Sequence, residues 1–295
     1  MTKNRLLTKL LPFTNPFLLT LTGLSYTLGV GIARYLGRAD SPLSFWLGLG
    51  WILLLALAMN LLTVYFTPHN EPILAEETIK ERNWVRAALF QISMALLGGV
   101  ALFTIALFQS GINIMAIIFA VIIFILAIIY ALPPMRVVTS GFGEQLLAIL
   151  ITIFTPAFSL TIQMGDVHRL LSAVISPLAL LAVTAFLVLN FPTYKEDLKY
   201  ERGSLLLRIG WERAISLHHI LILTAYFLFA AMPLFGFPRA LFAPVFYVAP
   251  LAFFQIYWMQ KIAQGASPNW KFLKFLAYSV IGLTLYTLTV TFWMR

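Results

Sequence analysis

The chain has 295 residues, of which 61% are hydrophobic and only 11% charged, with no cysteine and a formal net charge of +9. Soluble domains carry roughly 25% charged residues, so so apolar a chain cannot be a soluble globular protein. The lack of cysteine excludes disulfides, iron–sulfur clusters and thiolate metal sites.

A helix needs about 20 apolar residues to cross the hydrocarbon core, where it must satisfy its own backbone groups. Charge-free runs of that length recur along the chain. Leu10–Ala33 is the first, with Pro16 near its start, where a missing N–H costs little. Lys3, Arg5 and Lys9 precede it and Gly31-Ile32-Ala33 weakly resembles a cleavage site. The apolar stretch exceeds the roughly 7–15 residues of a signal-peptide core, so it reads as a retained span. Ser41–Phe66 is the second, and Ala87–Met135 is long enough for two helices, with Ser110-Gly111-Ile112-Asn113 as the turn. Gln145–Gly165, Leu170–Asn190, Ala214–Phe235, Ala240–Gln260 and Phe275–Met294 follow. The expected fold is an all-α bundle of about nine transmembrane helices, a single transmembrane domain over residues 1–295.

With that count the loops alternate sides. Of the 20 Lys and Arg, only Arg34, Arg38, Arg169, Arg239 and Arg295 fall opposite the N-terminus, so the positive-inside rule puts the N-terminus in the cytoplasm and the C-terminus across the membrane. Acidic residues gather on the same side, leaving only Asp40 and Asp166 opposite. The expected setting is a bacterial or archaeal cell membrane. Cytoplasmic flanks account for the positive charge, which is therefore not read as nucleic-acid binding. Function is expected in the polar loops near 60–83, 130–144 and 190–213.

Three strings in these loops follow a recognisable pattern. YALPPMRVVTSGFGE (130–144) sets Tyr130, Pro133, Pro134, Arg136, Gly141, Gly143 and Glu144 in a Tyr-x-x-Pro-Pro-x-Arg…Gly-x-Gly-Glu arrangement. NFPTYKEDLKYERGSLLLRIG (190–210) carries Phe191, Pro192, Tyr194, Asp197, Leu205, Arg208 and Gly210, and NLLTVYFTPHNE (60–71) carries Asn60, Leu61, Tyr65 and Phe66. In order and spacing these strings resemble those of the UbiA-type intramembrane prenyltransferases, a family of nine-helix bundles. The resemblance implies transfer of a prenyl group from a polyprenyl diphosphate to an aromatic or other lipophilic acceptor, with Mg²⁺ held by Asp residues on two facing loops.

The chain departs from that pattern where the metal chemistry sits. Thr63 and Val64 replace the family's Asn-Asp pair, Thr67 replaces its next Asp, and Thr193 replaces the first Asp of the second motif. Valine cannot ligate a metal and threonine is a poor substitute for a carboxylate. Of the second motif's pair Asp197 remains, and Glu71 and Glu201 are the carboxylates positioned to rebuild one Mg²⁺ site with it. By resemblance Asp197, Tyr130 and Tyr194 are the expected catalytic residues, and Asn60, Arg136, Asn190, Lys199, Arg202 and Arg208 the expected contacts to the diphosphate-bearing substrate; Arg forks can grip phosphate directly. His69 lies in the altered first motif, and His218-His219 read as interfacial, because neighbours on a helix point apart. Three functions follow: a prenyltransferase with altered metal chemistry, a non-catalytic isoprenoid-binding protein of the same fold, and, less favoured for want of mid-membrane charge, a transporter.

Overall fold

The computed structural model describes residues 10–38, 41–68, 70–74 and 77–295. Lys3, Arg5, Lys9, Asp40, His69 and Glu76 fall outside these. Among the described residues the elements are helical, and eight helices are long and apolar enough to cross a membrane. In chain order, the spanning helices that open the bundle are α1 (Pro16–Tyr35), α2 (Pro42–Tyr65), α3 (Ile79–Gln109) and α4 (Ile114–Ala131). Next come α5 (Gly143–Met164) and α6 (Arg169–Asn190), then two short loop helices, α7 (Tyr194–Lys199) and α8 (Leu205–Ile209). The chain closes with α9 (Trp211–Ala231), α10 (Arg239–Phe242), α11 (Ala249–Ala263) and α12 (Trp270–Met294).

Ends are set by local chemistry. Pro16 and Pro42 open α1 and α2, where Asn15 and Ser41 side chains accept from backbone N–H groups of the first turn. Thr78 and Glu81 form a reciprocal capping box at α3. The expected turn lies between α3 and α4, with Gly111 at φ 76° and the Asn113 side chain capping α4. The eighth expected span differs. It is broken: Arg239–Tyr247 and Ala249–Ala263 bend by 45° against each other. Pro244 falls within the first segment, at the start of its 3-10 stretch Ala243–Tyr247, and Pro250 at the start of the second, and a proline lacks the N–H that would continue the ladder.

Lipid tails are as apolar as leucine, so helices associate in a bilayer through close packing and hydrogen bonds. α6 lies at the centre, against α5, α9 and α12, and α12 closes the bundle on α1. Trp293 Nε1 donates to Thr27 O at 2.9 Å across the α12–α1 seam, and Trp51 Nε1 to Thr104 Oγ1 at 2.9 Å between α2 and α3. α3 and α4 lie at the rim and leave Leu102, Ile105, Phe108, Ile118 and Ile125 exposed, as lipid-facing residues are. His218 is corrected from interfacial to core: it is fully buried and its Nε2 lies 2.9 Å from Gln255 Nε2, joining α9 to α11.

Where α1 crosses α5, Gly29 permits the contact. A Cβ there would stand 2.1 Å from Ser159 Oγ and 2.2 Å from the Pro156 carbonyl oxygen. Gly29→Ala therefore forces two backbones apart and is expected to cost about 1–3 kcal/mol. Thermal unfolding in detergent should show a clear drop in Tm, whereas Gly282→Ala on α12, with open space at its Cβ, should leave Tm unchanged or slightly raised.

Candidate functional site

At the end of the bundle that carries the charged loops, the segments after α2, α4 and α6 fold over one another. Arg82 and Arg86, one turn apart on α3, hold the first of these. Arg82 Nη2 donates to the Pro68 carbonyl at 3.0 Å and also reaches that of Glu71, while Arg86 donates to the Thr67 carbonyl. Glu77 accepts from the N–H groups of Ile73 and Leu74 at 3.1 and 3.2 Å. The segment is thus folded back so that Glu71 points inward, only 7% exposed. The other two loops are stitched to each other by a parallel bridge between Ser140 and Gly203, in which Gly203 N donates to Thr139 O at 3.0 Å.

The three loops enclose a polar chamber of about 290 Å³ lined by Thr63, Val64, Thr67, Glu71, Arg136, Val138, Thr139, Glu144, Asn190, Thr193, Asp197, Arg202, Gly203 and Ser204. Arg202 dominates its chemistry. One guanidinium nitrogen pairs with Glu71 Oε1 and the other lies 3.4 Å from Asp197 Oδ1, so both carboxylates converge on one cation. Thr193 Oγ1 donates to Asp197 Oδ2 at 3.1 Å. Burial pushes the Asp197 carboxyl above the usual carboxylate range, against the opposing pull of Thr193 and Arg202. Arg136, at φ 37°, donates from Nη2 to Thr63 O at 3.3 Å, and its Nε is buried without a hydrogen-bond partner. Burial lowers its pKa, Arg202 and Arg86 lower it further as like charges, and Glu71 opposes them. Glu144 Oε1 accepts from Asn190 and from Leu205 N, at 3.1 Å in the latter case, while its Oε2 is buried without a partner.

Below the chamber the lining is first mixed and, further in, apolar. A second cavity of about 460 Å³ shares Thr63 and Val64 with it and adds Phe13, Phe17, Asn60, Tyr130, Leu147 and Tyr278. A narrow slot of about 50 Å³ continues inward, sharing Leu18, Asn60, Tyr130 and Leu147 and lined further by Ile52, Leu55, Ile123, Ala127 and Leu150. Here α5 carries a π-helical turn, Leu150–Phe154, followed by Pro156 in the first turn of the next α-helical segment. The Leu150 carbonyl accepts from both the backbone N–H and, at 2.8 Å, the hydroxyl of Thr155, and such turns recur at functional sites.

The expected site residues divide. Asp197, Arg136, Asn190, Arg202 and Glu71 come together in the chamber, and Tyr130 and Asn60 line both the mixed cavity beside it and the apolar slot. Lys199 is exposed over the Tyr200 ring at 4.9 Å, and Arg208 is exposed over the Phe142 ring at 3.8 Å. Tyr194 packs edge-on against Trp211, 5.5 Å between centroids, in an aromatic cluster with Phe191 and Trp270. Glu201 has φ 52° and an exposed side chain, away from Glu71 and Asp197. Sequence reasoning did not single out Glu144 or Ser204 as site residues; the Gly-x-Gly-Glu string contained the signal for the first.

A divalent metal fits this arrangement poorly. Mg²⁺ demands near-octahedral oxygen ligands, and among the described residues no group of three or more Asp, Glu or His side chains is placed to hold a metal ion. Glu71 and Asp197, the carboxylates that do converge, are turned onto Arg202.

Gly203 is what lets two of the loops meet, because a Cβ there would lie 2.4 Å from the Thr139 carbonyl oxygen. Gly203→Ala is expected to open the chamber wall at a cost of about 1–3 kcal/mol. Faster limited proteolysis within residues 137–141 and 199–204, with the transmembrane core still protected, is the expected readout.

The sequence matches no protein-family model and no curated protein. Solved structures do match in fold. A digeranylgeranylglyceryl phosphate synthase superposes with a TM-score of 0.58 at 17% identity, over 100% of this chain and 98% of its own. A UbiA homologue from Archaeoglobus fulgidus bound to GPP and Mg²⁺ gives 0.53 at 17% identity, over 96% and 99%, and an apo UbiA homologue from Aeropyrum pernix K1 gives 0.54 at 12%, over 92% and 96%. Over essentially its whole length, the chain has the fold of the UbiA homologues.

Proposed function

We propose that this protein is a UbiA-type membrane protein that binds a polyprenyl diphosphate, head group in the polar chamber and chain running through the adjoining cavity toward the apolar slot, and passes the prenyl group to a lipophilic acceptor. One observation carries this reading: from a chamber holding Arg136 and Arg202, adjoining cavities bordered by Tyr130 lead to an apolar slot, as an amphiphile with an anionic head and a hydrocarbon tail requires. The fold supports it, since homologues of that fold have been captured with GPP and DMAPP together with Mg²⁺.

In this reading Arg136, Arg202 and Asn190 hold the diphosphate. Charge develops on the leaving oxygen as the allylic C–O bond breaks, and fixed guanidinium groups stabilise it there. The Tyr130 ring faces the cation that remains, since an aromatic face attracts positive charge. The free Oε2 of Glu144 is the available acceptor for the proton the alkylated acceptor loses. A second reading, an isoprenoid-binding protein without transferase activity, is favoured by the engagement of Glu71 and Asp197 with Arg202 instead of with an open metal site.

Purified protein given radiolabelled geranylgeranyl diphosphate and a mixture of quinone precursors should release diphosphate. Binding without release with any donor selects the second reading. Arg136→Met removes a charge-assisted contact worth about 1.5–3 kcal/mol and should weaken binding on the order of tenfold to a hundredfold.

We also assign the charged end to the cytoplasm of a bacterial or archaeal cell, on the bias of Lys and Arg toward its loops. The cysteine-free sequence makes the check direct. A maleimide that cannot cross the membrane should label Gly236→Cys in intact cells and Ser267→Cys only in inverted vesicles; the reverse pattern overturns the orientation.

A further inference from the structure

In the chamber two carboxylates delivered by different loops face one another, the arrangement that elsewhere clamps a divalent cation. Here the space between them is filled by a side chain. Arg202 bonds Glu71 through one terminal nitrogen and approaches Asp197 at 3.4 Å through the other, and both carboxylates are nearly inaccessible, at 7% and 5% exposed. Its position is fixed from behind as well. Its backbone N–H donates to the Asp197 carbonyl at 2.9 Å, its neighbour Gly203 is bonded to Thr139, and its guanidinium lies 5.6 Å from the centre of the Tyr200 ring.

We propose that Arg202 takes the place of the divalent metal, so that the chamber binds a phosphate or diphosphate head group through the Arg202 and Arg136 guanidinium groups with no metal ion. This rests on the reading of the chamber as the head-group site. Glu71 and Asp197 then act as positioning residues that hold the guanidinium, not as metal ligands. Arginine suits the exchange: it stays charged at any working pH, and its planar fork of five N–H donors serves carboxylates on one edge and phosphate oxygens on another. Arg136 completes the pair. Its carbonyl contact with Thr63 leaves Nε buried and unpartnered, and among the described residues no carboxylate lies within ion-pair distance of it, so its charge is available to an anion.

The anion is therefore held by hydrogen-bonding cations of fixed geometry, and its affinity is independent of Mg²⁺. The opposite arrangement, in which incoming Mg²⁺ displaces Arg202 from the carboxylates, predicts strict metal dependence, so one titration separates them.

Binding of geranylgeranyl diphosphate to the detergent-purified full chain is measured by calorimetry with 5 mM Mg²⁺ and with EDTA, where the concentration is a choice of assay. Equal Kd within about twofold is expected. Binding that appears only with Mg²⁺ overturns this inference and leaves the head-group site intact, whereas no binding in either condition removes that reading and the inference together. Arg202→Gln frees Glu71 and Asp197, should weaken metal-free binding tenfold or more, and should make both binding and Tm rise with added Mg²⁺. The wild-type Tm should not respond. If Arg202→Gln does not fold, Arg202→Lys, which keeps the charge and loses the fork, should still weaken metal-free binding severalfold; unchanged metal-free binding in either variant overturns the proposal.

Discussion

The loops after α2 and α6 meet over one end of the bundle because a single guanidinium satisfies two buried carboxylates at once. Glu71 and Arg202 are 131 residues apart in sequence, and Asp197 approaches the same cation from the short helix α7 of Arg202's own loop. A buried carboxylate without a partner is strongly destabilising, and breaking a buried pair leaves such a charge behind. The chamber's shape therefore depends on Arg202 staying where it is. Arg82, Arg86 and Glu77 fix the first loop, and the Gly203 bridge fixes the other two to each other.

Below this polar closure the physics is that of the bilayer. Backbone groups are satisfied within helices, small residues such as Gly29 allow close crossings, and tryptophan and tyrosine donors bridge neighbouring helices. At the π-helical turn beside the slot, the Thr155 hydroxyl adds a side-chain hydrogen bond to the Leu150 carbonyl. A charged chamber and an apolar slot thus occupy neighbouring volumes, joined through Thr63, Val64, Asn60 and Tyr130.

Much of this was legible in the chain itself. Apolar runs of spanning length dictate helices, since nothing else satisfies a backbone in lipid, and the breaks at Ser110–Asn113 and the prolines at 16 and 42 fall where the helices end. Short-range patterns also located the three loops that meet at the site, and with them Arg136, Asn190, Asp197 and Arg202. The broken eighth span was not separated from a straight one, because hydropathy averages over Pro244 and Pro250 and is blind to a bend.

What the sequence left open is which charges face one another. Lys199, Arg202 and Arg208 stand within ten positions and look interchangeable by charge, yet only Arg202 enters the chamber. A short helix turns successive side chains to different faces, the left-handed backbone at Glu201 redirects the chain, and Arg208 is drawn out over Phe142. The sequence by itself determined the membrane-spanning bundle and the polar end that carries the site, because both follow from local hydrophobicity. Tertiary structure alone decided that Glu71 and Asp197 hold an arginine between them, because that pairing is set by loops brought together from 131 residues apart.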